Sequence, residues 1–216
     1  IGSQGNATDF GDLSGARNQY SGMSSSSGRG VFAGGHSGGN VNVIDYVTIA
    51  SAGNATDFGD LLTTVYDCAG CSDDTRGVRC GGNNGTTSIN EMDYVTISST
   101  GNATDFGDMI IDAARLGAFS DATRGVIFNG WDNPSNTNVI HYITIQTTGN
   151  STDFGDLTTT YVDASGCADS TRGVLAGIQE INVIEYVTIQ TTGNSTDFGD
   201  LTVARRSIGA CANSTR

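Results

Sequence analysis

Helix formers, proline and positive charge are all scarce in this sequence. Its 216 residues hold 1 Pro, 1 Trp, 2 His, and 10 Lys plus Arg against 23 Asp plus Glu. Lys and Glu are few, and no stretch keeps apolar residues at i, i+3, i+4 and i+7 for long, which excludes a helical protein. The net charge of −13 excludes binding to a nucleic-acid backbone, which needs clustered basic residues. It favours solubility in salt water, where screening weakens self-repulsion. No run approaches the ~18 apolar residues of a membrane-crossing helix, so membrane insertion is not expected. No basic-then-apolar secretion signal opens the chain. Ile1 falls inside a repeat, so an upstream segment is expected.

Glycine is plentiful, at 31 residues, and Val, Ile, Thr, Tyr and Phe fill the apolar positions, which is strand chemistry. The string "GNATDFGD" begins at Gly5 and returns at Gly53 and Gly101, then as "GNSTDFGD" at Gly149 and Gly193. "TRGV" or a close variant marks Arg29, Arg76, Arg124 and Arg172, with "NSTR" at Arg216, and "IDYVTI" and its relatives centre on Tyr46, Tyr94, Tyr142 and Tyr186. A period of about 48 residues therefore organises one repeat domain over 1–216: a partial unit 1–30 and units 31–77, 78–125, 126–173 and 174–216.

Each period contains a small-residue apolar stretch, the "TRG" turn, a short strand such as "VFAGG", a variable loop, "NVIDYVTI", the "GNATD" turn and a last short strand. In "VIDYVTI", Ile44, Tyr46 and Thr48 share one face and Val43, Asp45, Val47 and Ile49 the other. Both faces are largely apolar, as in a sheet stacked between neighbours. Four short antiparallel strands per period predict an all-β propeller of four to five blades. A parallel β-solenoid is the runner-up; its coils are usually shorter and need no glycine pair before a long loop. Thr8–Leu13 reads as a fourth strand and Ser207–Asn213 as a first strand, which leaves the ring's closure open.

The order of these motifs resembles the kelch repeat. Arg206 precedes "SIGAC", Gly34 and Gly35 supply the double glycine, Tyr46 the tyrosine, and Phe58 stands where kelch repeats usually carry tryptophan. The glycine pair recurs intact only at Gly81 and Gly82. Over essentially the whole chain, strings such as "NVIDYVTIASAGNATDFGDL" and "STRGVL" also resemble repeat proteins of marine bacteriophages, especially cyanophages. That resemblance implies a virion-associated, tail-fibre-like protein, located on the virion or outside the cell.

Several residue patterns offer chemistry. Paired acids (Asp9/Asp12, Asp57/Asp60, Asp105/Asp108, Asp153/Asp156, Asp197/Asp200) suggest Ca2+, yet two carboxylates per loop are too few. A turn with Gly-Asn at φ > 0 and Phe packed between blades explains them better, and no cofactor is expected. The sequons at Asn6, Asn54, Asn84, Asn102, Asn150, Asn194 and Asn213 would be glycosylated in a eukaryotic secreted protein, but the turn alone accounts for most of them. Cys68 and Cys71 form C-x-x-C. The repeat aligns Cys71 with Phe119, Cys167 and Cys211, Cys68 with Leu116 and Ala164, and Cys80 with Ala33, which predicts buried free thiols. His141 takes the slot of Asp45, Asp93 and Glu185, so it forms no triad. Arg76, Arg124 and Arg172 are expected to bridge to Asp60, Asp108 and Asp156, or to the acids of the tyrosine strand, as glue made once per blade.

Repetition marks scaffold, so variation marks recognition. Units differ in the loops from His36, Asn83, Trp131 and Gln179, and in the linkers "TTVYD", "IDAAR", "TTYVD" and "VARRS". Strand alternation places both sets on one end of the blades. The expected ligand face comprises Trp131, Asp132, Asn133, His36, Asn83, Asn84, Tyr66 and Tyr161, because rings beside amides suit sugars. The reading is a non-enzymatic virion structural and adhesion module. Its partner is a host cell-surface glycan or another virion protein, and self-association is open. A glycosylated extracellular filament protein and a secreted carbohydrate-active enzyme are the alternatives.

Overall fold

A computed structural model describes residues 6–24, 28–177, 181–205 and 207–212. Gln179, Arg206, the Asn213 sequon and Arg216 lie outside them, as does the side chain of Tyr161.

Among the described residues seventeen strands and no helix build four antiparallel sheets. The first holds β1 (Ser21–Ser24), β2 (Arg29–Ala33), β3 (Val43–Thr48) and β4 (Thr56–Asp60) in that order. The second runs β5 (Ala69–Ser72), β6 (Arg76–Asn83), β7 (Ser88–Thr96) and β8 (Thr104–Asp108). The third has β9 (Gly117–Ser120), β10 (Arg124–Phe128), the short β11 (Trp131–Asp132), β12 (Ser135–Thr144) and β13 (Thr152–Tyr161), with β11 and β13 both pairing β12. The fourth runs β14 (Ser165–Ala168), β15 (Arg172–Ala176), β16 (Val183–Thr188) and β17 (Thr196–Asp200). The sheets stack through their first strands, β1 on β5, β5 on β9 and β9 on β14. This is a four-bladed β-propeller arrangement, with four strands per repeat as the β-branched alternation demands.

The core lies between blades. Val31, Ile44 and Phe58 of the first blade meet Val95, Ile97 and Ala103 of the second, and the same slots repeat at the next two joints. Near the axis the first strands come close because glycine lines them. A Cβ on Gly70 would lie 2.8 Å from the Gly22 carbonyl oxygen. Cys71 seats its sulfur where a Cβ on Gly125 would stand, and Phe119 does the same over Gly173. Thiol and ring fill one slot as interchangeable apolar bodies.

The octapeptide holds both halves of a joint. The Asp108 N–H donates to Asn150 Oδ1 (3.0 Å), the Gly149 N–H to the Phe106 carbonyl (2.7 Å), and the Ser151 N–H to the Asp108 carbonyl (2.8 Å). The Asn54, Asn102 and Asn194 turns clasp Asp12, Asp60 and Asp156 in the same way. Positive φ falls on the glycine of "FGD", at 148° for Gly59 and 133° for Gly107, while no sequon asparagine among the described residues takes it. The glycine before the sequon takes the expected positive φ at Gly101 (157°), Gly149 (150°) and Gly193 (155°), whereas the Asn acts through its side chain.

Two further expectations need correction. The recurring arginines do not bridge to Asp60, Asp108 or Asp156. Arg76 stacks 4.1 Å over Tyr94 of its own blade and donates to the Ile145 carbonyl of the next (3.0 Å); Arg124 uses Tyr142 and Ile189 likewise. Arg172 stacks on Tyr186. A guanidinium flat on a ring keeps its edge N–H groups free for a carbonyl, and each aspartate instead offers its backbone to the clasp. Among the cysteines, Cys68, Cys71 and Cys80 are buried, but Cys167 is half-buried and Cys211 exposed, because their slots border an open seam.

Candidate functional site

The linkers between blades converge on one cavity of about 1070 Å3 at the propeller axis. Gln19, Asp67, Arg115, Asp163 and Ser207 line it, one from each successive repeat. All five hold left-handed backbone, at φ between 53° and 63°. Such a conformation costs a non-glycine residue roughly 1–2 kcal/mol. The ladder Asp67 N–H to Gln19 carbonyl (2.9 Å), Arg115 N–H to Asp67 carbonyl (2.7 Å) and Asp163 N–H to Arg115 carbonyl (3.3 Å) helps to offset it. The backbone is uniform here while the side chains differ.

Arg115 grips both oxygens of Asp163 through Nε and Nη2. That carboxylate, first among its neighbours, keeps the guanidinium charged. Gln19 donates to Asp67 Oδ1 (2.8 Å). Burial raises the Asp67 pKa, against the opposing effects of Gln19 and Arg115. With one cation and two acids among the described lining residues, the cavity suits hydroxyl or amine donors better than anions. Tyr20 and Tyr66 supply its aromatic walls.

The variable end is placed as follows. His36 packs edge-on to Tyr66, centroids 5.7 Å apart, and Tyr66 pairs with Asn83 through the backbone. His36 and Asn83 thus neighbour Tyr66, which lines the cavity. Asn83 Oδ1 accepts from Gly85 N–H, and Asn84 Oδ1 accepts from the Thr86 and Thr87 amides, so both oxygens shape their own loop. Trp131 sits one blade further round, half-buried, its backbone paired with Ala114. Asp132 and Asn133 are exposed at that hairpin's tip, and Tyr161 pairs with Thr137 there. The Ser88 hydroxyl donates to the Trp131 carbonyl (3.0 Å), and Ser88 pairs with Asn83, which links this hairpin to the Tyr66 group. Among the described residues no three His, Cys, Asp or Glu gather as a metal site.

The polar slot shared by the four tyrosine strands is buried, which the repeat pattern alone does not show. Asp45, Asp93, His141 and Glu185 occupy one slot, each within 1 % of full burial. Asp45 pairs with Arg17 (2.9 Å), and Asp93 takes two bonds from Arg79 (3.1 and 2.7 Å). At the His141 and Glu185 slots the octapeptide carries Ser in place of Ala. Ser151 Oγ lies 2.9 Å from His141 Nδ1, and Ser195 Oγ donates to Glu185. The difference between "GNATD" and "GNSTD" was the available signal.

Burial lowers the His141 pKa from 6.5 to about 4. The unfolded chain therefore takes up this proton first as pH falls. The contribution of neutral His141 is complete above about pH 6.5 and lost progressively toward pH 4, a loss of about 3 kcal/mol. Urea midpoints of the wild type and His141→Gln, compared at pH 7 and pH 4.5, should show the wild type falling more steeply. Parallel curves would contradict the assignment.

Comparison of the sequence with family models and with curated proteins found no match.

Proposed function

We propose that the chain is a non-enzymatic recognition and structural module of a kelch-like, phage virion kind, and that it binds a host-surface glycan at the mouth of the axial cavity. The observation that carries this reading is the ring of equivalent positions, alike in backbone but carrying four different side-chain types: Gln19, Asp67, Arg115, Asp163 and Ser207. A structural role alone gives no reason to vary residues held in strained backbone. Tyr66 offers a ring face for pyranose C–H groups, with amide and carboxylate oxygens beside it for hydroxyls. The sequon asparagines are a weaker pointer to glycosylation, since Asn54, Asn102, Asn150 and Asn194 already use Oδ1 in the clasps.

Glycan-array binding of the native protein tests the proposal. Neutral or amine-bearing glycans should bind, and Tyr66→Ala should weaken them at least about tenfold, the loss of one stacking contact with its buried area. Thermal melts check that the variant stays folded. An empty array, or binding indifferent to both Tyr66→Ala and Arg115→Ala, would refute a ligand at the axis.

A further inference from the structure

Three complete joints show what one blade presents to the next, and the seam shows the same two faces uncovered. Ile49 is 50 % exposed where Ile97, Ile145 and Ile189 are fully buried. On the other side of the seam Phe198 is 54 % exposed, where Phe58, Phe106 and Phe154 are each 2 %. Phe58, Phe106, Phe154 and Phe198 each carry a tyrosine edge-on. Among the described residues Phe10 carries no such tyrosine, and it is 39 % exposed. Nor does any described guanidinium reach the Ile49 carbonyl as Arg29 reaches Ile97 (2.9 Å). Phe10, Gly30, Phe32, Val47 and Ile49 line a largely apolar cleft of about 490 Å3 at this edge.

The seam is bordered by two chain segments in repeat-like positions. Residues 8–13 take an outermost position: the Phe10 and Asp12 carbonyls accept from Gly53 and Ala55, as β4 accepts from the following turn. Residues 207–212 take an innermost position: Ile208 packs over Gly177 as Leu116 packs over Gly81. The outer and inner places of a further blade are thus filled. No described residue fills the two middle places.

We propose that the seam is a docking site for a β-hairpin carrying the repeat's own second- and third-strand chemistry, an Arg-Gly-Val strand joined to a Val-Ile-acid-Tyr-Val-Thr-Ile strand. Its tyrosine would stand edge-on to Phe10, its arginine would stack on that tyrosine and donate to the Ile49 carbonyl, and its apolar residues would cover Ile49 and Phe198. Each of these contacts copies one formed inside the chain. The occupant completes a blade, so this inference does not depend on the axial ligand.

The probe is a synthetic peptide of residues 172–190, RGVLAGIQEINVIEYVTIQ. It should bind the native chain one to one and raise Tm by about 5 °C or more at saturation. Ile49→Asp, at an exposed position, should leave the fold intact and weaken binding at least about tenfold. A peptide with serine in place of its tyrosine should weaken it too. Absence of saturable binding would overturn the proposal, as would equal binding to Ile49→Asp. Sedimentation that finds native chains joined head to tail, and Ile49→Asp chains separate, would overturn it in favour of a second copy.

Discussion

Asp93→Ala should unfold about 3–5 kcal/mol more easily than the wild type, the largest single effect expected in this chain. Arg79 is 1 % exposed and spends its guanidinium on Asp93, the Gly81 carbonyl (2.9 Å) and the Glu91 carbonyl (2.8 Å). Removing the carboxylate strands a cation in an apolar blade interior, which is far costlier than the net worth of the pair. The next repeat shows a neutral solution at the same register, where Ile127 stands opposite His141 and Ser151 replaces alanine. Grafting that solution, as Arg79→Ile with Asp93→His and Ala103→Ser, should bring stability back to within about 2 kcal/mol of the wild type. Urea denaturation measures both variants. A triple variant as unstable as Asp93→Ala would show that the slots are not equivalent.

The second large effect falls on a glycine. Gly107 holds φ at +133°, and a Cβ there would lie 2.6 Å from the Gly149 carbonyl oxygen. The obstacle is backbone, which cannot swing aside. Gly107→Ala should cost about 3 kcal/mol, combining a forbidden backbone region with a forced separation of blades. Gly199→Ala is the internal comparison, since Gly199 has φ of +140° and no described atom within 4 Å of where a Cβ would stand. It should carry the backbone cost without the clash. Equal losses in the two variants would mean that the tight approach between blades does not matter.

Much of this architecture was legible in the sequence because copies explain each other. Val, Ile, Tyr and Thr alternating around Tyr46 and its equivalents specified strands buried on both faces, and the core slots of Cys68, Cys71 and Cys80 followed from alignment with Leu116, Phe119 and Ala33. Partners were harder to read. Arg76 had acids within reach along the repeat, yet a planar guanidinium gains more from a ring and a carbonyl at a joint than from an exposed carboxylate. Asp45, Asp93, His141 and Glu185 looked like one variable polar slot, and the burial of Asp45 and Asp93 depends on Arg17 and Arg79, which lie elsewhere in the repeat. For the candidate site, the linkers and Tyr66 were legible as variable. The left-handed backbone of Asp67, Arg115 and Asp163 was not, because side chains of that kind do not require it.

The repeated octapeptide is a joint between blades rather than a loop free in solvent. Native-state hydrogen exchange of the Gly101, Gly149, Asp60 and Asp108 amides probes it without intermediaries, since these residues are exposed yet donate across the joints. Protection close to that of the core strands is expected, lost at Gly149 and Asp108 when Gly107→Ala opens their joint and kept at Gly101 and Asp60, which belong to the joint before it. Exchange of these amides at the rate of an unstructured loop would show that the octapeptide joins nothing.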